Sequence, residues 1–220
     1  LIEFTPDTPN RFQDALNLFE REGYDSLIID LRDNPGGLIS SVVEVADKFI
    51  DSGVIVSTKS RLAFENQEFK ANRIKSTAKK NIPVVVLINR GSASASEILS
   101  GALKDYHLAY LVGERTYGKG SVQQVRPLMS NDGMKLTMAR YYTPSDVNID
   151  KIGIPPDLEV LYPALTEANE KAYTSLGEEN IIAKYVENHP DMTELQISQY
   201  ARELKNSYNL DERLLRRMVR

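Results

Sequence analysis

Residues 82–106 read IPVVVLINRGSASASEILSGALKDY. The first seven are apolar, with three consecutive valines. A β-branched run of that length, bounded by turn residues, fits a strand buried on both faces of a parallel sheet. Residues 91–106 open with Gly, Ser and Ala and then take on a helical pattern. A buried strand that passes through a small-residue turn into a helix is the repeating unit of an α/β layer fold. Such a turn also aims the first N–H groups of the helix, and the positive end of its dipole, at one point.

The same alternation extends outward from this segment. LIEF (1–4) is a short apolar run, and Arg11 to Glu22 is amphipathic with Phe12, Ala15, Leu16 and Phe19 at helical spacing, ended by Gly23. SLIIDL (26–31) is a second buried-type strand, followed by the turn RDNPGG (32–37) and a helical stretch from Ile39 to Ile50. VIVSTK (54–59) and LAYLVG (108–113) read as strands, and the polar, basic residues 60–80 as a surface excursion. SVQQVRPL (121–128) and MKLTMARYYT (134–143) flank SNDG (130–133), which predicts a hairpin. GIPPDLEV (153–160) carries two prolines that forbid a helix. The fold class expected is α/β, a mostly parallel sheet with an antiparallel addition. Strand signals vanish near Pro163, so residues 1–163 form the expected core and 164–220 a helical C-terminal subdomain.

Composition bounds the chemistry. The chain has 220 residues, 41% hydrophobic and 26% charged, with a formal net charge of -4. That is a globular balance, with mild acidity that argues against nucleic acid as a partner. No apolar run approaches membrane-spanning length. The absence of cysteine removes disulfides and thiol catalysis, and two histidines, His107 and His189, leave little room for a metal site or a Ser-His-Asp triad. The chain opens inside an apolar run, as a processed chain or a piece of a longer one would.

The segment GERTYGKGS (113–121) comes close to a phosphate-binding loop, but Gly120 stands where Ser or Thr would hold magnesium, and SVQQV continues as a strand rather than a helix. Lys119 therefore has another use. A serine in the 91–97 turn needs a base, histidine is scarce, and a lysine kept dry can serve, because desolvation lowers an amine's pKa by as much as about three units. Tyr117, Gly118 and Gly120 around Lys119 suit that expectation in composition. The plain alternative is that Ser92, Ser94 and Ser96 only cap a helix, that Lys119 is a solvated turn residue, that Glu97 only complements the helix dipole, and that Arg32 and Asp33 hold the glycine turn.

LIIDLRDNPGG, LINRGSASASEILSGAL, GERTYGKGSVQ and LTMARYYTPS, followed by GIPPDLEV, together resemble the carboxyl-terminal processing (tail-specific) protease family over residues 1 to about 160. Five motifs occur in the family's order. The resemblance implies a core akin to the crotonase and Clp-protease folds and a serine endopeptidase without metal or organic cofactor. It implies Ser94 as nucleophile, Lys119 as general base and Gln123 as its assistant. The oxyanion donors it implies are the backbone N–H of Ala95 and that of a glycine in NPGG, Gly36 in preference to Gly37 though the two are not separated. Substrates would be proteins with unfolded C-terminal tails, bound as extended strands, in a bacterial periplasm or cell envelope. The family usually carries a PDZ domain ahead of the position of Leu1, so regulation and tail selectivity are not assigned to these residues. The sequence departs from the family at Asp146 and Asp150. A reading of another class is a silent or partner-activated scaffold, with residues 164–220 driving homo-oligomer assembly or docking an activating adaptor.

Overall fold

The computed structural model describes residues 1–127, 132–161 and 166–219. They fall into two compact units, Leu1–Val160 and Leu161–Arg220. No helix among the described residues is long and apolar enough to cross a membrane.

The first unit contains two four-stranded sheets. One is wholly parallel, in the order β1 (Leu27–Asp30), β4 (Val84–Ile88), β5 (Tyr110–Gly113) and β8 (Leu158–Glu159). The other is antiparallel, in the order β3 (Gln67–Lys70), β2 (Val54–Ser60), β7 (Gly133–Tyr142) and β6 (Ser121–Pro127). The antiparallel part, expected as an addition, is thus as large as the parallel sheet. Part of it, β3, lies in the region expected as a surface excursion. Strand propensity says where a strand forms and not which neighbour it joins, so the split was not legible. The hairpin of β6 and β7 is present; the first two residues of its expected turn at 130–133 lie outside those described, and Gly133 already belongs to β7.

Three helices cover these strands. Helix α1 (Thr8–Glu22) begins with Pro9 in its first turn and ends at Gly23 with φ 74°. Helix α2 (Ile39–Ala46) buries Val42, Val45 and Ala46, and α3 (Ala95–Asp105) buries nearly every side chain it has. One core joins them to both sheets: Ile29, Val86, Ile88 and Leu111 from the parallel sheet meet Ile98, Leu99 and Leu103 of α3 and Ile55 and Val56 of β2. Leu31, Leu99 and Leu103 are fully buried. Each such side chain contributes about 1.5–3 kcal/mol, and they flank the two turns that matter below.

The second unit is helical: α4 (Glu167–Glu178), α5 (Ile181–Asn188), α6 (Glu194–Tyr208) and α7 (Glu212–Val219). Its own core is built from Leu176, Ile197, Tyr200, Leu204, Leu210, Leu215 and Val219. Helix α6 starts with a reciprocal capping box between Thr193 and Gln196 and stops at Asn209, whose φ is 50°. The basic tail is α7, which buries Leu215 and Val219 while its arginines face outward.

Candidate active site

Strands β1 and β4 are parallel neighbours, with Asp30 opposite Leu87. Their C-terminal turns therefore emerge side by side at the carboxyl edge of the sheet, where sites form in such folds. Asn34 joins the two turns. It is fully buried. Its Oδ1 accepts the N–H of Gly36 at 2.9 Å, and its Nδ2 donates to the carbonyl of Leu1 at 2.9 Å. Its own carbonyl accepts the N–H of Ala93 at 3.0 Å and the hydroxyl of Ser96 at 3.0 Å. Removing the side chain in Asn34→Ala orphans a buried N–H and a carbonyl, which should cost about 2–4 kcal/mol. Urea denaturation measures this, and an unchanged midpoint would mean that water replaces the amide.

The clamp brings the glycine turn onto the serine turn. A Cβ at Gly36 would lie 2.8 Å from Cβ of Ser94 and 2.9 Å from the nitrogen of Ala95, so only glycine permits the approach. Gly36 and Gly37 then separate in role. The Gly36 N–H is engaged by Asn34, while among the described residues the N–H groups of Gly37 and Ala95 donate to no acceptor. Gly37 is also exposed where Gly36 is buried. The sequence reading prefers Gly36 to Gly37 as an oxyanion donor; of the two, Gly37 is the one whose N–H is left without an acceptor among the described residues.

The three serines of the turn differ in what their hydroxyls do. Ser92 and Ser96 are fully buried and donate to the carbonyls of Leu31 and Asn34, at 2.8 and 3.0 Å. They tie α3 to the neighbouring turn. Ser94 is half-buried; its Oγ faces the Glu97 N–H in a capping box, and unlike the other two its hydroxyl donates to no acceptor among the described residues. Its backbone has φ 54° and ψ −111°, a conformation that a residue with a Cβ adopts at a cost of about 1–3 kcal/mol. The flanking burial of Leu31, Ile98 and Leu99 is large enough to offset that strain.

Glu97 is the residue whose part the sequence understated. It is fully buried. Its Oε2 accepts the backbone N–H of Ser94 and of Lys119, each at 2.8 Å. Its Oε1 accepts the hydroxyl of Thr116 at 2.5 Å and the N–H of Gly118 at 2.7 Å. The spacing Ser94-x-x-Glu97 is a capping-box signal, which would have pointed to the first of these bonds. The other three cross between segments distant in sequence. Asn34, directly ahead of Pro-Gly-Gly, likewise carries an Asx-turn signal. Arg32 bonds Asp30, and Asp33 exchanges hydrogen bonds with Asn89, across from the turn that Gly91 begins.

Residues 116–120 form an extended segment with strict alternation. Thr116, Gly118 and Gly120 are buried, and Tyr117 and Lys119 are exposed. The inward positions pack against residues 149–154: a Cβ at Gly120 would come within 2.1 Å of the nitrogen of Asp150. The same pleat that turns the glycines inward turns the Lys119 side chain outward. The expectation of a dry lysine is therefore corrected. Among the described residues its ammonium has no hydrogen-bond or ion-pair partner. Gln123 sits on β6 beside a register shift between Val122 and Gln123, is exposed, and bonds neither Ser94 nor Lys119. The structure thus brings together Ser94, Ala95, Gly36 and Gly37, ties the Lys119 backbone to that of Ser94 through one oxygen of Glu97, and shows no hydrogen bond from the Lys119 or Gln123 side chain to any of them.

The model of peptidase family S41 matches residues 1–160. The chain belongs to that family. Among its S41 relatives, the carboxy-terminal-processing protease of Bartonella bacilliformis is 42% identical over 188 residues, covering 82% of this chain and 42% of the relative. The carboxyl-terminal-processing protease of a Synechocystis species is 40% identical over 168 residues, covering 76% of this chain and 38% of the relative. Other relatives are named as chloroplastic peptidases of Tetradesmus obliquus and Arabidopsis thaliana. The solved structure of a photosystem II D1 C-terminal processing protease superposes with a TM-score of 0.67 at 38% identity, over 76% of this chain and 42% of that one. The chain spans under half the length of each of these proteins.

Proposed function

We propose that this chain carries the hydrolytic centre of a serine endopeptidase that cuts protein substrates near their C-termini. The observation that carries the proposal is the state of Ser94. Of the three serines in the turn it alone has a hydroxyl that donates to no acceptor among the described residues, held by a strained backbone beside two open N–H groups. Ser94 Oγ attacks the peptide carbonyl, and neutral Lys119 takes the hydroxyl proton. The N–H groups of Ala95 and Gly37, with the dipole of α3, stabilise the oxyanion. The tetrahedral adduct collapses as Lys119 returns the proton to the leaving amine. Water, deprotonated by the same amine, then hydrolyses the ester and frees Ser94. Gln123 orients the amine without protonating it.

An exposed lysine at neutral pH is an ammonium and cannot accept a proton. Lys119 becomes a base when something covers it, because desolvation disfavours the charged form. A substrate laid as an extended strand along the exposed side of residues 117–119 would do this, and backbone pairing suits varied, unfolded tails. Substrate binding and base activation are then one event.

Lys119→Ala should lower kcat/KM on an unfolded protein substrate by about 10²- to 10⁴-fold, the usual range for a general base. Lys119→Arg should lose as much, since its charge is permanent. Both are measured by release of new amino groups, with product termini read by mass spectrometry. Retention of activity in either variant would refute the lysine's role; products cut evenly along the substrate would refute the preference for C-termini.

A further inference from the structure

The carboxylate of Glu97 has no part in the steps above, yet it lies between the two segments that carry them. Both of its oxygens are saturated by donors, two apiece, and none of those donors is a charged side chain. Because Oε2 holds the N–H of Ser94 and the N–H of Lys119 together, the two backbones stand within two hydrogen-bond lengths of each other. No other hydrogen bond among the described residues joins the residue Ser94 to the residue Lys119. The nearest parallel tie runs from the Tyr117 N–H to the carbonyl of Ser92, at 3.0 Å. Oε1 fixes the preceding turn of the same segment through Thr116, whose hydroxyl also accepts the Ile154 N–H at 2.7 Å.

We infer that Glu97 is a positioning residue that sets the register between the nucleophile turn and the lysine segment. It touches neither substrate nor reacting atoms. It acts through two peptide planes, that of Ser94 and that of Lys119, and fixes the placement of one relative to the other. This rests on the Ser94–Lys119 reading above. A carboxylate suits the task because it offers acceptors in two directions from one rigid plane. Glutamine does not, since its NH₂ must face one of the two donor pairs and repel it. Aspartate keeps the charge but is one methylene short, so it can reach one pair only.

The test is a double-mutant cycle read by the rate at which a fluorophosphonate probe labels Ser94, alongside kcat/KM and far-UV circular dichroism. Glu97→Gln should slow labelling at least tenfold, with kcat falling and KM little changed, in a protein whose spectrum remains that of the parent. Combined with Lys119→Ala, Glu97→Gln should add less than about twofold to the loss from Lys119→Ala alone, because a lysine that is absent cannot be mispositioned. Losses that multiply would overturn the inference while leaving the Ser94–Lys119 reading in place. A Lys119→Ala variant that labels at the parent rate would instead remove that reading. Should Glu97→Gln fail to fold, Thr116→Val removes the hydroxyl from the Oε1 pair alone; a labelling rate equal to the parent's would then count against the inference, and a rate lowered with KM unchanged would support it.

Discussion

Ser94→Ala should reduce kcat/KM by about 10⁴-fold or more, the range seen when a covalent nucleophile is removed while donors and binding surface remain. The fold should survive, because the Ser94 hydroxyl donates to no acceptor among the described residues and the turn is held by Ser92, Ser96, Asn34 and Glu97. Ser94→Gly should be equally inactive and, unlike Ser94→Ala, more stable than the parent by about 1 kcal/mol. Glycine relieves a strain of about 1–3 kcal/mol at positive φ and gives back part of it in unfolded-state entropy. Activity assays and thermal unfolding of the two variants check both halves. Full cleavage by Ser94→Ala would end the nucleophile assignment. A Ser94→Gly protein weaker than Ser94→Ala would show that the backbone there is relaxed.

The second large effect lies across the site, at a residue without a side chain. In Gly36→Ala the new methyl would sit 2.7 Å from the carbonyl oxygen of Ala93 as well as against Ser94 and Ala95, at φ +106°. The atoms it meets are mostly backbone, so little can yield locally. Overpacking and strain together should cost about 3 kcal/mol or more. The glycine turn would be pushed off the serine turn, and a misplacement of about 1 Å can cost 10²-fold in rate. Gly23→Ala is the control. Its φ is +74° but no atom lies within 4 Å of the added Cβ, so only the left-handed strain of about 1 kcal/mol should appear, with kcat/KM unchanged. If Gly36→Ala cleaves at the parent rate, the contact between the two turns does not shape the site.

The two turns were found from sequence because their signals are local. A strand of valines leading into Gly-Ser-Ala and a second strand leading into Pro-Gly-Gly each declare a tight backbone approach next to a helix. The capping-box spacing of Glu97 and the Asx position of Asn34 were equally visible, but each announces only one short-range bond. Their remaining partners, Lys119, Gly118 and Thr116 for Glu97 and Leu1 and Ala93 for Asn34, are at or across segments that meet only in the folded chain. Lys119 shows the opposite failure. Its glycine and tyrosine neighbours suggested burial, whereas the pleat of an extended segment decides orientation by alternation, and composition carries no record of phase.

The amino-acid sequence by itself determined the alternation of strands and helices, the helical character of the C-terminal region, the positions of the two small-residue turns and the order of the motifs that mark the S41 family. These follow from propensity, periodicity and turn chemistry, which act over a few residues. Only the tertiary structure decided that the strands divide equally between two sheets, that β1 and β4 lie side by side, that one serine of three donates to no acceptor, and that a buried glutamate ties the serine turn to the lysine segment. Those outcomes depend on which distant segments meet, and hydrogen-bonding groups are satisfied or left open only once they do.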